Sequence, residues 1–196
     1  MIVYNIDKGA PKGFSSRRRL FRLCRLLRET IIYLSDKGMF SMSIVTFYRG
    51  DPKNAPKTTM PAHLGANVIL TCNGKLLLEK RRDSDTWGLV GGGVKDSETE
   101  LQAIVREVWE ELGLRIPRER FQKLGVYGEP GRIAAFRDGS VWRMVIVVYG
   151  LDLEEEPKMT ISAESRDLRF FTKEELKDIE IVITHSDIVE DHFLNK

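Results

Sequence analysis

The stretch that most constrains the fold is GGGVKDSETELQAIVREVWEELGL, Gly91 to Leu114, where a run of glycines precedes an acidic segment. At about 100° per residue, Glu107, Glu110 and Glu111 share one face of a helix, because residues three and four apart are neighbours. The opposite face carries the apolar residues Leu101, Val105, Val108, Trp109 and Leu112. This pattern predicts an amphipathic helix with a core face and a carboxylate face.

Both ends of the predicted helix carry a local signal. Ser97 and Glu100 have the spacing of a capping box, in which each side chain accepts a hydrogen bond from the other residue's backbone. Gly113 is the residue type that most readily ends a helix in a left-handed conformation. We therefore expect a helix that begins near Ser97 and ends at Gly113.

The crowding of three glutamates has two interpretations. A solvated acidic face is the common one, but Glu107 and Glu111 repel each other by about 0.2–0.5 kcal/mol at this spacing. Only Arg106 is placed to offset the charge, by pairing with Glu110. A bound divalent cation would reverse the repulsion, and hard carboxylate oxygens suit Mg²⁺ or Mn²⁺.

The glycines before the helix favour a loop whose backbone approaches a ligand. Glycine adopts backbone angles that other residues avoid, so a carbonyl can turn toward a metal and amides toward phosphate oxygens. A nucleotide-triphosphatase loop is excluded, because its lysine would fall at position 94, where Val94 stands. A plain glycine-rich turn is the alternative interpretation.

These residues together resemble the defining box of the Nudix hydrolases. The box reads glycine, five residues, glutamate, seven residues, Arg-Glu, an apolar residue, any residue, Glu-Glu, any residue, glycine and an apolar residue. Every defined position is filled, by Gly92, Glu98, Arg106, Glu107, Val108, Glu110, Glu111, Gly113 and Leu114. The resemblance covers about residues 61 to 196 and implies an α/β/α sandwich around a mixed β-sheet. It also implies Mg²⁺-dependent hydrolysis of a nucleoside diphosphate linked to another group.

The resemblance assigns roles to individual residues. It implies that Glu107, Glu110 and Glu111 bind the divalent metals, together with a carbonyl from Gly91 or Gly92. It also implies that Arg106 orients these carboxylates. We expect Glu98 to form a structural salt bridge rather than to bind metal, since it lies near the far side of the helix from Glu107.

A further glutamate, often the general base, comes from a loop after the box in this family. Glu164 stands where some members place it, and Glu129 is an equal alternative. Val90 replaces the proline that most relatives carry before the paired glycines, which removes rigidity from the turn.

The sequence says less about the substrate. Pro130 lies where ADP-ribose hydrolases of the family carry a proline, and Tyr127 where dinucleoside polyphosphate hydrolases carry a tyrosine, although this segment also fits a simple turn. Arg81, Arg82 and Arg132 are candidates for binding phosphates, against the interpretation that they are solvated surface residues. Aromatic residues that could stack on a base, but are more often core, are Trp87, Phe136 and Trp142.

Around the box, short alternating segments predict a β-rich domain. The sequence HLGANVILTC, the turn Asn73–Gly74 and KLLLEKRR predict a hairpin. Further strands are expected at residues 121–128, 132–137, 141–153 and 167–171, with a turn at Asp138–Gly139, and helices from Thr172 and Ser186. We place the domain boundary near Pro61, between an extension at 1–60 and a Nudix domain at 61–196.

The first sixty residues differ in charge from the rest. They hold 12 Lys and Arg against 4 Asp and Glu, while residues 61–196 hold 19 against 25. We expect an amphipathic helix over Arg17 to Leu34 and a short strand over Met42 to Tyr48. The helix either packs on the Nudix core or on a second subunit, or binds RNA or an anionic membrane.

The remaining expectations concern environment and partners. Two isolated cysteines, Cys24 and Cys72, and the lack of a long apolar run indicate a cytoplasmic protein. A small nucleotide is the expected partner, and a homodimer is a family-level expectation. A competing hypothesis is a catalytically weak nucleotide-sensing domain, against which the intact glutamates argue.

Overall fold

The computed structural model describes residues 45–196 of the 196-residue chain. The predicted basic helix over Arg17 to Leu34 lies outside the described residues. Within residues 45–196, no helix has the length and apolar character that a membrane span requires.

The predicted hairpin begins the large sheet. Strand β2 spans His63–Cys72 and strand β3 spans Lys75–Arg81, joined by Asn73 and Gly74 with φ angles of 52° and 71°. Such positive φ angles give a two-residue turn whose twist matches that of the flanking strands. Both strands fill their interior positions with Val, Ile and Leu side chains that are fully or almost fully buried.

Most other strands follow the predicted segments, and two short ones were not predicted. The predicted set comprises β1 (Val45–Tyr48), β6 (Gln122–Tyr127), β7 (Ile133–Phe136), β8 (Val141–Leu153) and β9 (Ser165–Phe171). The glycine-rich segment, expected to be a loop, contains β4 (Trp87–Gly88) and β5 (Gly91–Gly93). The predicted turn before β8 is present, with Gly139 at φ 88°.

The strands form one mixed sheet of nine strands. Its main path runs β1, β7, β8, β2, β3, β4, while β5 pairs with β2, β6 with β8 and β9 with β3. Strands β2 and β8 are parallel over their whole paired length, and the other pairs are antiparallel. Pairing of β2 with both β5 and β8 brings the glycine segment to the middle of the sheet.

Each face of the sheet is covered by helical structure. Helix α1 spans Glu100–Leu112 and packs its residues Ala103, Ile104, Val108 and Leu112 into one apolar core. Helix α2 spans Ile183–Val189 and continues into a π-helical turn over Glu190–Leu194, which packs on the other face. The predicted α/β/α sandwich around a mixed sheet is confirmed.

The C-terminal segment departs from the prediction in its helix lengths. Thr172 and Glu175 form the predicted reciprocal cap, in which each backbone N–H donates to the other side chain. The cap leads only into a short 3-10 turn over Glu175–Asp178. Helix α2 begins at Ile183, three residues before the predicted start.

Strand β1 belongs to the sheet although it lies in the predicted extension. Its four residues pair antiparallel with β7, Val45 opposite Phe136 and Tyr48 opposite Ile133. The compact unit that contains the sheet extends from Ser43 to Lys196. The boundary placed near Pro61 from the sequence therefore falls between two paired parts of one sheet.

Candidate active site

Helix α1 is capped two residues later than predicted. Thr99 is the N-cap: its hydroxyl accepts from the Gln102 backbone N–H at 3.3 Å, and the Gln102 side chain accepts from Thr99 N–H at 2.8 Å. This is a capping box of the predicted kind built from the neighbouring residues instead of Ser97 and Glu100. At the other end, Gly113 has a φ angle of 74° and closes the helix as expected.

The glutamates on α1 lie in three different environments. Glu111 is buried, with 6% of its surface exposed, whereas Glu107 is partly buried and the Glu110 side chain is 46% exposed. Trp109, predicted on the core face, is 49% exposed beside an apolar groove. The carboxylates thus run from solvent at Glu110 into the sheet at Glu111.

The backbone of strand β5 lies in close contact with these carboxylates. Gly91 has a φ angle of 141°, and a Cβ there would lie 2.2 Å from the carbonyl oxygen of Ala66. A Cβ on Gly92 would lie 2.5 Å from Glu107 Oε1, so a larger residue there would displace that carboxylate. The Gly91 N–H donates to Glu111 Oε2 at 3.0 Å. Glycine is therefore required at position 91 by its φ angle and its contact with β2, and at position 92 it keeps Glu107 in place.

Arg106 joins the glycine strand, the loop and the helix. It donates two hydrogen bonds to Glu98, at 3.0 and 2.6 Å, and one to the carbonyl of Gly93 at 3.0 Å. Its Nη1 also donates to Glu107 and, at 3.2 Å, to Glu110. We call Arg106, Glu98, Glu107 and Glu110 the Arg106 cluster. The predicted salt bridge of Glu98 and the predicted pair with Glu110 are both present.

A second buried carboxylate, which the sequence analysis missed, lies close to Glu111. Glu79 on β3 is 2% exposed and accepts from Arg81 at 3.4 Å and from the Ser165 hydroxyl at 2.7 Å. Arg81 also makes a two-pronged ion pair with Asp83 and lies over the Phe47 ring at 5.7 Å. The available signal was a charged residue in the apolar run LLLEKRR, two places after buried Leu77.

Burial sets the protonation of this region. It raises the pKa of Glu111 well above the ordinary value of 4.5, and the charge of Glu79 raises it further. Burial also raises the pKa of Glu79 and of Glu107. In contrast, hydrogen bonds from Arg106 lower the pKa of Glu98 to about 2. The site therefore holds carboxylates that are poorly compensated next to one that is fully paired.

The three arginines predicted to bind phosphates are in different places. Arg81 lies at the carboxylates, with its side chain 24% exposed. Arg82 holds a neighbouring loop, with its Nε donating to the carbonyl of Ser165 at 3.0 Å. Arg132 is fully buried at 0% exposure and has no access to a ligand from solvent. Of the three, Arg81 is the one positioned to meet a substrate at the glutamates.

Arg132 instead forms a cluster against helix α2. Its guanidinium contacts Glu129 and Asp187 at 2.8 and 2.6 Å and donates to the carbonyl of Thr184. Arg49 also pairs with Asp187, at 3.3 Å. We call Arg132, Arg49, Glu129 and Asp187 the Arg132 cluster. It joins β1, β7 and α2 and lies apart from the glutamates of α1.

The two candidates for a general base are also separated. Glu129 is held in the Arg132 cluster. Glu164 is exposed at the start of β9, and its charge acts on the carboxylates of Glu107 and Glu79, raising the pKa of each. The charge of Glu164 thus reaches Glu107, whereas Glu129 is paired with Arg132.

Two buried polar side chains fix the glycine segment from behind. Asn67 Nδ2 donates to the carbonyl of Leu89 at 3.1 Å, and His185 Nδ1 accepts from the Leu89 N–H at 3.1 Å. Val90, at the position of the family's usual proline, is fully buried in the core beneath α1. Hydrogen bonds and packing from both sides hold the segment where the proline is missing.

The donor set fits a hard divalent cation. In residues 45–196, no three His, Cys, Asp or Glu side chains are already arranged to hold a metal, since Arg106 and Gly91 occupy the carboxylates. The chemistry is nevertheless suitable, because Glu107, Glu110 and Glu111 supply only oxygen ligands beside glycine backbone. Buried negative charge without full compensation is stabilised by a cation.

Comparison with known proteins gives consistent relatives. The sequence model of the NUDIX domain matches residues 61–192. A MutT-like protein of Streptomyces ambofaciens is 36% identical over 80 residues, 41% of this chain and 51% of that protein. The nucleoside triphosphatase NudI of Enterobacter is 28% identical over 119 residues, 58% of this chain and 84% of that protein. The match thus spans about half the length of the first relative.

A solved structure shares the fold. The dihydroneopterin triphosphate pyrophosphohydrolase of E. coli superposes with a TM-score of 0.55 at 20% identity, over 68% of this chain and 96% of that one. This likeness agrees with the α/β/α architecture described above.

Proposed function

This chain belongs to the NUDIX family, and from that membership we propose that it hydrolyses the pyrophosphate linkage of a nucleoside diphosphate linked to a second group. The observation that carries the proposal is the contact between α1 and β5. There, Glu107 and Glu111 lie against the backbone of Gly91 and Gly92 with more negative charge than the adjacent arginines offset.

A divalent cation, Mg²⁺ or Mn²⁺, completes the proposed site. Glu107, Glu110 and Glu111 would hold it, together with a carbonyl from Gly91 or Gly92, since the carbonyl of Gly93 is bound by Arg106. When bound, the metal lowers the pKa of water and neutralises charge on the departing phosphate. Raised pKa values at Glu107 and Glu111 make protons compete with the metal for these oxygens.

The chain's own side chains have separate tasks in this proposal. Arg106 orients Glu107 and Glu110 by direct hydrogen bonds. Glu164 accepts the proton of the attacking water: it is exposed and its charge acts on Glu107, whereas Glu129 lies in the Arg132 cluster. Arg81 contacts a substrate phosphate, since its charge lies beside Glu79 and Glu111 and a quarter of it reaches solvent.

We propose ADP-ribose as the first compound to test, on the basis of Pro130. Pro130 is exposed in the turn before β7. Tyr127 lends no support to a dinucleoside polyphosphate, because its hydroxyl donates to Asp191 at 2.8 Å beside His192. The relative NudI, named as a nucleoside triphosphatase, adds nucleoside triphosphates to the set of substrates to test.

The deciding experiment is Mg²⁺-dependent hydrolysis of a panel of nucleotides, with products separated by chromatography. The panel holds ADP-ribose, nucleotide sugars, dinucleoside polyphosphates, CDP-alcohols and nucleoside triphosphates. Glu111→Gln is expected to lower kcat by about two to three orders of magnitude, because metal charge stabilisation is worth several kcal/mol. Glu119→Gln is the matched control, since that carboxylate is 71% exposed on a different turn.

The outcomes separate two functions. Turnover of one compound well above the others, lost in Glu111→Gln and kept in Glu119→Gln, supports the hydrolase. Equal activity of Glu111→Gln and wild type would overturn it. If no compound is hydrolysed but one raises the melting temperature, a nucleotide-sensing domain replaces the proposed enzyme.

A further inference from the structure

Strand β3 contains a buried carboxylate to which the proposed reaction gives no task. Glu79 is 2% exposed and lies on the sheet face that α1 covers, two residues after Leu77 of the same core. A buried carboxylate is costly unless it is paired and hydrogen-bonded. Glu79 accepts from Arg81 and, at 2.7 Å, from the hydroxyl of Ser165. The bond to Ser165 joins β3 to the first residue of β9.

Ser165 directly follows Glu164, the proposed base. Ser165 is fully buried at 0% exposure, whereas Glu164 is exposed. Two further bonds from Arg82, the residue after β3, hold the same pair: the Arg82 N–H donates to the carbonyl of Glu164 at 3.1 Å, and Arg82 Nε to the carbonyl of Ser165 at 3.0 Å. The carbonyls of Glu164 and Ser165 are thus both bound to the end of β3.

The chain before this point has little regular structure. Residues 154–164 form no helix or strand, and the Thr160 N–H donates to the carbonyl of Leu112 at 3.0 Å near the middle of the stretch. The position of Glu164 relative to Glu107 is therefore set mainly where β9 begins. A displacement of about 1 Å in a reacting group can cost about 100-fold in rate.

We propose that Glu79 is a positioning residue, which fixes the Ser165 hydroxyl and thereby the position of the adjacent Glu164. This inference rests on the proposed function, because it takes Glu164 as the base. It assigns a role to a β3 residue that lies outside the glycine strand and the acidic helix. Glu79 does not itself contact substrate in this role.

A rival explanation is that Glu79 acts only through its charge on Glu111. The two can be separated because one variant changes the hydrogen bond and the other the charge. Ser165→Ala removes the donor and leaves every charge in place. Glu79→Gln removes the charge but keeps an oxygen that can accept from Ser165. Positioning requires the first variant to be damaging and the second to be mild, and the charge explanation requires the reverse.

The experiment measures kcat and KM with Mg²⁺ on the best substrate of the panel for wild type, Ser165→Ala, Glu79→Gln and Glu79→Leu. Ser165→Ala and Glu79→Leu are expected to lower kcat about 10- to 100-fold with KM within about 2-fold, because the base is misplaced. Glu79→Gln is expected to stay within about 3-fold of wild type. The Leu variant also serves if Ser165→Ala does not fold, because Arg81 keeps its ion pair with Asp83 when Glu79 is replaced.

The same variants are then combined with Glu164→Gln. Once the base is removed, its position has no further effect, so Ser165→Ala is expected to cause no additional loss of kcat. Multiplication of the two losses would overturn the positioning role, as would a Ser165→Ala enzyme with wild-type kcat. If wild type is active and Glu164→Gln is unchanged, the positioning role fails while the hydrolase stands. If wild type hydrolyses nothing, both fail together.

Discussion

The two arginine-centred clusters on opposite faces of the sheet differ in their balance of charge. In the Arg132 cluster, Arg132 and Arg49 meet Glu129 and Asp187 in a one-to-one ratio, and the central guanidinium is fully buried. In the Arg106 cluster, one arginine faces three glutamates, and buried Glu79 and Glu111 lie nearby. The Arg132 cluster balances its charge within the fold, whereas the Arg106 cluster is the one that we propose a cation from solution completes.

The largest expected effect tests the structural role of the balanced cluster. Arg132→Met removes the central cation and leaves Glu129 and Asp187 without it, so the free energy of unfolding should fall by about 3–5 kcal/mol. Urea unfolding measures the loss, and kcat of the folded enzyme should change little. Arg118→Met is the control, because its side chain is 74% exposed and its surface ion pair contributes about 0–1 kcal/mol. A stable but inactive Arg132→Met protein would instead place Arg132 in the active site.

The next largest expected effect is stabilisation of the folded protein by Mg²⁺ bound at the Arg106 cluster. Mg²⁺ at 100 times its dissociation constant should stabilise the folded protein by about 2.7 kcal/mol. Thermal unfolding with and without Mg²⁺ should show this gain in wild type and in Arg132→Met, and no gain in Glu111→Gln. An equal gain in Glu111→Gln would show that the metal binds elsewhere.

The third effect is the pH dependence of stability caused by His185, whose pKa is lowered by burial and by the charges of Arg81 and Arg132. Burial lowers its pKa to about 3 from an ordinary value of 6.5. Because the folded pKa is depressed, the stability it contributes is present above pH 6.5 and is lost as the pH falls toward 3. The loss amounts to about 2 kcal/mol by pH 5.

Urea unfolding at pH 7 and pH 5 checks this expectation. His185→Gln keeps an acceptor for the Leu89 N–H but cannot take up the proton, so its stability should fall less over the same interval. An equal pH dependence of the two proteins would show that His185 titrates normally.

The smallest expected effect is the stability cost of the buried Glu111 charge when no metal is bound. The pKa of Glu111 is raised, so its contribution to stability is complete below 4.5 and is lost as the pH rises through the raised value. Glu111→Gln avoids this loss and should be more stable than wild type at pH 8. Unfolding in the presence of a chelator measures the difference, which should shrink at pH 5. A less stable Glu111→Gln protein at pH 8 would contradict the burial argument.

Most local features of the fold were predicted correctly from the sequence. Helix α1 ends at Gly113 and the β2–β3 turn lies at Asn73–Gly74 because these signals act within a few residues. The cap moved from Ser97 to Thr99 because residues of the same chemistry lie two apart, and the sequence does not rank them. Pairing of the glycines with β2 depends on a segment 24 to 28 residues earlier in the chain, so no local pattern indicated strand β5.

The parts of the site that depend on contacts between distant residues could not be predicted from the sequence. Glu107 and Glu111 follow from helix periodicity and lie where the pattern placed them. Arg132 was a candidate for binding phosphate, but its bond to Asp187, 55 residues later, makes it part of the interior. The proposed role of Glu79 depends on its hydrogen bond with Ser165, which lies 86 residues later in the chain.

The pairing of β1 with β7 has a consequence for how the protein can be shortened. A chain cut where the family match begins, at residue 61, would lose β1 and leave β7 as the outermost strand. The unpaired N–H and C=O groups of such an edge are a template for pairing with other molecules. We expect the truncated protein to be less stable than a chain that keeps residues 45–48, because the backbone groups of Ile133–Phe136 that pair with β1 lose their hydrogen-bond partners.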